Sequence, residues 1–514
     1  MLARLSLPLN LRGTLIVALV WGLSNALLRR AVSPWLSGDD AKTNLFTQRW
    51  QWGYQADNPP LFEWLTKLLH LVTPSDLWSF LILKYACVAA AMLFVHLAVR
   101  RLARDAGGEA TDGEGDGQSA ERAGFVAACS LVLLYPVGWS LHQAFTHSAL
   151  LLATSAAFVW AALRVLDAPR IGRFAALGLI TGLGLLAKYN TLMLAVPFLL
   201  ASGLDPQWRH RLQRGGLLVA LLVALVIVWP HLMWFRAQSD AYAASAAVTL
   251  GLDDAAHVAR ALSGTGALLV AVLTFLSPFV LLLVWRWRRA RPRFSSAERF
   301  LLTISAVSLT ALLLGIVWLG VSDVSARYVL PAVLPGFVAL ASEAVRGGGS
   351  GLLVRGAGLA AALILLLRTI SALVPAPPFC DDCWDFVPYG ALADTLREVT
   401  PPGSVYLARE ENTAGNLVQA FPDAKVLSLN LIPFMNPADE ARRPCYYVWS
   451  EDMTHGVPLF PIFRFAYDDP STVMVDAPWR HPFREDGFRR TVWGITPLSD
   501  DKRYERFCVP GAPG

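Results

Sequence analysis

The chain has 514 residues, of which 55% are hydrophobic and 16% are charged, and its mean hydropathy is +0.45. About a quarter of the residues in a typical soluble domain are charged, so this composition excludes an ordinary soluble protein and indicates a polytopic α-helical membrane protein. The net charge of +5 comes from basic residues in short links between apolar runs. This distribution is typical of cytoplasmic loops, so we expect no nucleic-acid partner.

The apolar runs predict the membrane-spanning helices, because a helix needs roughly 20 apolar residues to cross the hydrocarbon core. The predicted spans are 13–31, 76–99, 123–141, 148–166, 216–234, 264–285, 299–320, 328–344 and 352–374. Arg4 and Arg12 before the first span also suit a signal peptide, but no small-residue cleavage pattern follows the apolar run. We therefore expect this first span to be retained.

The apolar segment 174–204 differs from the other spans, because Lys188, Tyr189 and Asn190 lie at its centre. Arginines precede and follow the segment, and basic flanks on both sides predict that the chain crosses the membrane an even number of times. Two short spans or a re-entrant pair satisfy this condition. The whole chain then has about eleven crossings, with its N-terminus in the cytoplasm and its C-terminal region outside.

The first outer loop, residues 32–75, carries the densest group of charges beside the membrane. Its acidic residues include Asp39, Asp40 and Asp57, and its basic residues include Lys42 and Arg49. Charges at a bilayer are energetically costly and usually mark a functional site, so this loop is the first candidate for a working surface.

Other polar residues are predicted at the same outer ends of the spans. They are Tyr54, His142, His147, Lys188, Asn190, His231, Arg327 and Tyr328. Carboxylates beside several cations in one outer cavity suit a phosphate-bearing lipid donor and a hydroxyl acceptor.

The composition changes near residue 374, where apolar runs shorten and Pro, Asp and Trp become more frequent. We therefore predict a transmembrane domain, 1–374, and an extracytoplasmic α/β domain, 375–514. In the second domain, the predicted strands are 404–408, 424–429 and 445–449. The predicted helix is 413–421.

The cysteines favour an oxidising compartment for this outer domain. Those outside the predicted spans are Cys380, Cys383, Cys445 and Cys508. In an exported domain such cysteines favour disulfides over a thiol redox site or a zinc site, and three pairings stay open. Cys87 and Cys129 lie within spans, where they are expected to be small buried hydrophobic residues.

Several short motifs follow one another in an order that is more specific than any one of them. They are Gly38-Asp39-Asp40-Ala41, Gly53-Tyr54, Pro59-Pro60-Leu61, the segment 182–190, Trp229-Pro230-His231 with Trp234, and Arg327-Tyr328 with Pro331. In this order the chain resembles membrane glycosyltransferases of the C superfamily, specifically bacterial relatives of protein O-mannosyltransferases and of the lipid A aminoarabinose transferase. The resemblance covers most of the membrane region and implies a polyprenyl-phosphate-sugar donor.

The resemblance also implies roles for individual residues. The first acidic residue of the outer loop is the general base in this family, and the matching residue is Asp39. Neighbouring Asp40 is expected to orient the acceptor, a metal or a cation. The departing phosphate needs fixed cations, for which Lys188 and Arg327, next to Tyr328, are the first choices. The expected outcome is inversion in a single displacement.

Other residues are secondary candidates. For the donor phosphate they are Lys42, Arg49 and His231, although basic residues at a membrane interface often only meet lipid headgroups. For the acceptor or other contacts they are His147, Tyr54, Asp57 and Asn190. Each candidate also has a purely structural interpretation, such as a capping carboxylate for Asp39 or a snorkelling side chain for Lys188.

The chain departs from the family pattern at the start of the fourth span. Relatives commonly have a second carboxylate there, within a Thr-Pro-Asp-like motif, whereas this chain has Thr146-His147-Ser148. An inactive accessory subunit of an envelope-glycan complex is therefore one alternative to an active enzyme. A transporter or flippase for a lipid-linked substrate is another, although the chain shows no convincing inverted repeat.

The sequence does not identify the sugar, and it leaves a lipid, a glycan or a protein as the acceptor. Asp39, Asp40 and Asp57 are too loosely spaced to argue for a divalent ion, so we expect a metal-independent reaction without a cofactor. The expected location is the bacterial inner membrane, in contact with membrane lipids, with the C-terminal domain in the periplasm.

Overall fold

The computed structural model describes most of the chain. The described residues are 8–55, 58–107, 114–142, 146–212, 214–238, 250–252, 256–374, 383–431, 443–450, 469–479, 489–498 and 508–509. They group into two compact units. The first unit comprises Met1–Asn25, Ala56–Leu61 and Lys84–Leu365, and the second comprises Ala26–Gln55, Phe62–Leu83 and Leu366–Gly514.

Helices make up most of the described chain. In order they are α1 (Leu11–Val32), α2 (Asp39–Phe46), α3 (Leu61–Leu69), α4 (Leu77–Gly107), α5 (Glu114–Ser130), α6 (Tyr135–Gly138), α7 (Thr146–Asp167), α8 (Ile171–Ala187), α9 (Leu192–Leu204), α10 (Pro206–Arg209), α11 (Arg214–Ala237), α12 (His257–Trp287), α13 (Ser296–Leu319), α14 (Leu330–Ala344), α15 (Ser350–Leu373), α16 (Tyr389–Val399) and α17 (Glu411–Ala420).

Seven helical segments within the described residues are long and apolar enough to cross a membrane. The number is eight if the bent pair Gly117–Leu133 and Tyr135–His142 forms one span. The longest segment, Ala326–Leu373, contains a break at Gly347 and Gly348 that separates α14 from α15. The protein is thus a multi-pass helical membrane protein, and the total of about eleven crossings stays a prediction.

The segment 174–204 contains two short helices, as the sequence predicted. Helix α8 ends before Lys188, whose extended backbone (φ −165°, ψ 138°) interrupts the helical geometry. Helix α9 begins at Leu192 and is also too short to be a long span. Lys188 is therefore placed at a helix break rather than within a continuous hydrogen-bonded helix.

The first unit is a bundle in which α8 packs on α7 and α11, and α13 packs on α9, α12 and α14. One buried ionic network connects the end of α12, the link that follows it and α14. The carboxylate of Glu343, 3% exposed, accepts hydrogen bonds from Arg286 (2.9 and 3.2 Å), the Trp287 indole (3.3 Å) and the Arg293 backbone (3.3 Å). A buried carboxylate with this many donors is a satisfied structural group.

Within its described residues, the second unit contains a mixed β-sheet of six strands, ordered β2-β1-β3-β5-β4 with β6 beside β3. The strands are β1 (Val405–Ala408), β2 (Lys425–Ser428), β3 (Arg443–Ser450), β4 (Val473–Pro478), β5 (Arg490–Pro497) and β6 (Cys508–Val509). Strand β1 pairs in parallel with β2 and β3, whereas β5 is antiparallel to β3 and β4. The predicted strands β1 to β3 and helix α17 are confirmed, and β4, β5, β6 and α16 are additions.

The cysteines follow the prediction as far as they are described. Cys445 and Cys508 form a disulfide, which joins β3 to β6. Cys383 is also disulfide-bonded, and Cys380 lies outside the described residues. Cys87 and Cys129 are free thiols, and Cys87 is buried.

Most of the first outer loop, apart from residues 56–61, belongs to the second unit, together with the C-terminal sheet. Its helix α2 packs on α17, and Leu45, Phe46 and Tyr54 join the hydrophobic core formed around the sheet. This grouping results from contacts between segments that are distant in the sequence. The predicted division into domains 1–374 and 375–514 stays a prediction.

Candidate functional site

The two acidic residues predicted to do chemistry begin helix α2. Gly38 precedes the helix with φ 53°, a value that favours glycine, and Asp39 and Asp40 occupy the first helical turn. Asp39 is half-exposed, whereas Asp40 is 4% exposed. Asp39 is therefore the more accessible of the two carboxylates at the start of α2.

Two other candidates from the same loop, Lys42 and Tyr54, have structural partners. The Lys42 ammonium lies 3.4 Å from the Glu411 carboxylate. The Tyr54 side chain is fully buried, and its hydroxyl donates to the Arg49 carbonyl at 2.9 Å. Burial raises the pKa of Tyr54 well above its usual value. Lys42 and Tyr54 thus have partners within the loop and the C-terminal region, and their predicted roles towards a substrate stay predictions.

Arg49 lies in a different place from the acidic pair. It lines a small surface pocket with Gln51 and Lys425. Partial burial, followed by the positive charges of Arg49 and Arg443, lowers the pKa of Lys425 to about 8. The pocket is therefore basic, and the predicted role of Arg49 at the donor phosphate stays a prediction.

Sequence reasoning missed Glu63, a fully buried carboxylate on α3. The Gln55 amide lies 3.4 Å from Glu63 Oε1. The sequence contained a signal for this residue, since Glu63 is a charged residue within the apolar run that follows Pro59 and Pro60. Asp57, the remaining acidic candidate of the loop, lies outside the described residues.

In the first unit, the structure brings the two predicted donor-binding cations to one aromatic ring. The Lys188 ammonium lies 5.8 Å from the centre of the Tyr328 ring, and the Arg327 guanidinium lies 5.4 Å from it. Both distances are within the range of a cation–π interaction. Asn190 joins the group by donating its side-chain amide to the Tyr328 carbonyl at 3.2 Å. We call Lys188, Asn190, Arg327 and Tyr328 the cationic cluster.

The departure from the family pattern lies beside this cluster. Lys188 is 8% exposed, and its ammonium contacts the hydroxyl of Ser148 at 3.5 Å. Ser148 is the third residue of the Thr146-His147-Ser148 motif, where relatives commonly have a carboxylate. The structure thus places a neutral hydroxyl beside the Lys188 ammonium at this position.

The histidine candidates are buried, and two of them, His142 and His231, contact aromatic residues. His231, 1% exposed, is 2.8 Å from the Tyr189 hydroxyl and stacks on Trp234 with ring centres 5.7 Å apart. His142 is 3.0 Å from the Tyr85 hydroxyl. His147 is 3% exposed near the start of α7. The Tyr189 and Trp234 contacts fix the orientation of the His231 ring, and its predicted role at the donor phosphate stays a prediction.

Helix α17, which packs on the acidic helix α2, begins after an unusual carboxylate. Glu410 Oε2 accepts a hydrogen bond from Thr413 (3.2 Å), whereas Oε1 is buried without a partner among the described residues. Burial raises the pKa of Glu410 to about 7, despite the opposing hydrogen bond from Thr413 and the charge of Arg409.

We expect Glu410→Gln to stabilise the protein at alkaline pH. The raised pKa means that the folded state holds a proton that the unfolded state releases, so wild-type stability falls as pH rises from about 4.5 through 7. The neutral glutamine removes this loss of stability, which is worth roughly 3 kcal/mol at pH 8. Melting temperatures of the purified protein at pH 4.5, 6 and 8 measure the effect.

The matched control is Glu411→Gln, which changes the next carboxylate along the chain, a partly exposed partner of Lys42. It should leave the pH dependence of the melting temperature unchanged, because an exposed pair contributes at most about 1 kcal/mol. If the melting temperatures of wild type and Glu410→Gln change equally between pH 4.5 and 8, the raised pKa of Glu410 is contradicted.

Among the described residues, no group of three or more His, Cys, Asp or Glu side chains could hold a metal ion. The acidic pair supplies two adjacent carboxylates on α2, which is fewer ligands than a Ca²⁺ site requires.

The chain is similar in sequence to known glycosyltransferases. The family described as dolichyl-phosphate-mannose-protein mannosyltransferase matches residues 118–234. The lipopolysaccharide core galacturonosyltransferase RgtA of Rhizobium johnstonii is 28% identical over 477 residues, which cover 87% of this chain and 88% of that protein. The lipopolysaccharide core galacturonosyltransferase RgtB of the same organism is 26% identical over 480 residues, which cover 90% and 93%.

The fold is similar to that of a solved enzyme. The crystal structure of ArnT from Cupriavidus metallidurans bound to undecaprenyl phosphate matches with a TM-score of 0.55 and 15% identity, covering 94% of this chain and 97% of that one. The structure of the same protein in the apo state matches with the same TM-score. The resemblance predicted from the motifs is confirmed by these comparisons, as is the helical membrane fold with a C-terminal sheet.

Proposed function

This chain is similar over most of its length to two lipopolysaccharide core galacturonosyltransferases, and from that premise we propose that it transfers a sugar from a polyprenyl-phosphate donor to a hydroxyl acceptor. The observation that carries the proposal is the cationic cluster. Lys188 and Arg327 come from distant parts of the sequence and meet at the ring of Tyr328. Two fixed cations at one place suit a phosphate group that gains negative charge during the reaction.

The donor is proposed from the same cluster. A polyprenyl phosphate combines a lipid tail with a phosphate, and Lys188 follows the apolar helix α8. The ArnT structure supports the choice, since that protein was crystallised with undecaprenyl phosphate. The half-buried Tyr328 and Arg327 leave part of the cluster accessible to a ligand.

The reaction is proposed as a single displacement. Asp39 removes the proton of the acceptor hydroxyl, whose oxygen forms a bond to the anomeric carbon of the sugar. The bond between that carbon and the phosphate oxygen breaks, and its electron pair leaves with the polyprenyl phosphate. Lys188 and Arg327 stabilise the departing phosphate. Attack from the opposite face inverts the configuration at the anomeric carbon.

The acceptor is proposed to be a lipopolysaccharide-type glycan, and the sugar a uronic acid. Both choices are supported by the names of the two Rhizobium johnstonii relatives, whose similarity covers about nine tenths of this chain. The reaction is placed at the outer face of the bacterial inner membrane, because the basic links between spans are expected in the cytoplasm.

The test is a transfer assay with the full-length protein in lipid nanodiscs. Radiolabelled polyprenyl-phosphate sugars carrying a hexose, a uronic acid or an aminopentose are incubated with a lipopolysaccharide extract. We expect label in the glycan, equimolar release of polyprenyl phosphate, and inverted anomeric configuration by NMR. Donor binding without transfer would favour the inactive accessory subunit, whereas failure to bind any donor would favour the transporter.

A further inference from the structure

We propose that helix α17 of the C-terminal sheet region positions the general base. Three of its residues, Asn412, Gly415 and Asn416, hold the backbone on both sides of Asp39. We call these three residues the α17 clamp. The inference rests on the proposed function, because it assigns the clamp a role in the same transfer reaction.

Asn416 fixes the chain before the acidic pair. Its side-chain oxygen accepts a hydrogen bond from the Leu36 N–H at 2.8 Å, and its side-chain nitrogen donates to the Leu36 carbonyl at 3.0 Å. Both residues are buried, with exposures of 1% and 0%. Only an amide offers a donor and an acceptor in this geometry, so aspartate in place of Asn416 would set a carboxylate oxygen against a carbonyl.

Asn412 fixes the residue next to the base. Its side-chain oxygen accepts a hydrogen bond from the Gly38 N–H at 2.8 Å. Gly38 precedes Asp39 and has a positive φ, so this bond holds the turn from which α2 starts. Asn412 lies one helical turn before Asn416, which places both amides on one side of α17.

Gly415 fixes the chain after the acidic pair by close approach. A Cβ atom at this position would lie 2.0 Å from the Ala41 carbonyl oxygen and 2.5 Å from its carbonyl carbon. These are backbone atoms, so the contact cannot be relieved by a side-chain rotation. The Gly415 carbonyl also accepts a hydrogen bond from the Asn44 amide at 2.9 Å. Any larger residue at 415 therefore has to displace α2.

The clamp restrains α2 where catalysis requires accuracy. A general base has to lie within hydrogen-bond distance of the proton that it removes. Misplacement by 1 Å can reduce a rate by about 100-fold. Leu36 and Gly38 on one side of Asp39, and Ala41 on the other, are each held by the α17 clamp. A helix far away in sequence thus sets the position of the reacting carboxylate.

The experiment compares Asn416→Asp with wild type in the transfer assay. We expect kcat to fall about 10- to 100-fold while the donor KM and donor binding change less than about threefold. Asn412→Ala, at a half-exposed position that does not threaten folding, should lower kcat in the same way. Gln419→Glu is the matched control, because its amide contacts the Pro34 carbonyl and none of the residues held by the clamp.

A double-mutant cycle distinguishes positioning of the base from general damage. If the clamp acts through Asp39, Asn416→Asp should lower the residual rate of Asp39→Asn by less than about twofold. An equal loss in both backgrounds would overturn the inference, as would wild-type kcat in both Asn416→Asp and Asn412→Ala. An inactive wild-type protein would instead count against the proposed function, so the two failures are distinguishable.

Discussion

Asp39→Asn is expected to abolish most sugar transfer while leaving donor binding intact. Asparagine keeps the shape of the side chain but cannot take the proton of the acceptor hydroxyl. Loss of a general base lowers rates by about 10² to 10⁴-fold. Because Asp39 is assigned to the acceptor, the affinity for a polyprenyl-phosphate donor should change less than about twofold. Steady-state transfer and equilibrium donor binding measure the two quantities.

The matched control for this variant is Asp394→Asn. Asp394 is an exposed carboxylate on α16 that pairs with Arg397 at 2.7 Å, and its replacement should leave the transfer rate unchanged. Asp40→Asn tests the assignment within the acidic pair, since Asp40 is buried beside Asp39. Loss of transfer in Asp40→Asn, with activity kept in Asp39→Asn, would move the base to Asp40.

Lys188→Met is expected to have the second large effect, on the donor side. Methionine retains the length and apolar character of the side chain but removes the charge from the cationic cluster. Loss of one group that stabilises developing negative charge lowers kcat by about 10² to 10³-fold. Ground-state donor binding should weaken about tenfold or more, because a hydrogen bond to a charged group is worth roughly 1.5 to 3 kcal/mol. Transfer kinetics and titration with polyprenyl phosphate give both values.

Lys425→Met is the control for loss of a lysine charge. Lys425 lies on β2 at the basic pocket with Arg49, outside the cationic cluster, so transfer should stay within about twofold of wild type. An equal loss of sugar transfer in Lys188→Met and Lys425→Met would indicate a general effect of removing a positive charge. Unchanged donor binding and kcat in Lys188→Met would remove the cationic cluster from the mechanism.

The sequence anticipated the parts of the fold and site that depend on local patterns. Hydropathy placed most of the long helices, and the polar residues Lys188 to Asn190 predicted the break between α8 and α9. The order of short motifs paired Lys188 with Arg327 and Tyr328 as donor-binding candidates, and the structure brings them together. A motif is local, so the residue types that a reaction needs can be recognised without knowing the contacts.

The sequence could not predict which side chains lie next to each charged candidate. Lys42 and Lys188 are both lysines near a predicted membrane edge, but Lys42 pairs with Glu411 whereas Lys188 lies against Tyr328. Tyr54 belongs to a recognised motif and is nevertheless fully buried. These differences depend on which side chains lie nearby after folding, and that information is not contained in a window of neighbouring residues.

By itself, therefore, the sequence determined the class of the protein, the placement of its apolar helices and the superfamily that it resembles. Hydrophobicity and charge decide where a helix can exist in a membrane, and both are read directly from the residues. Only the tertiary structure decided that Asn416 holds Leu36, 380 positions earlier in the chain, and that α17 packs on the helix of the acidic pair. The reason is physical: a buried amide finds its hydrogen-bonding partner only when the fold brings two distant segments into contact.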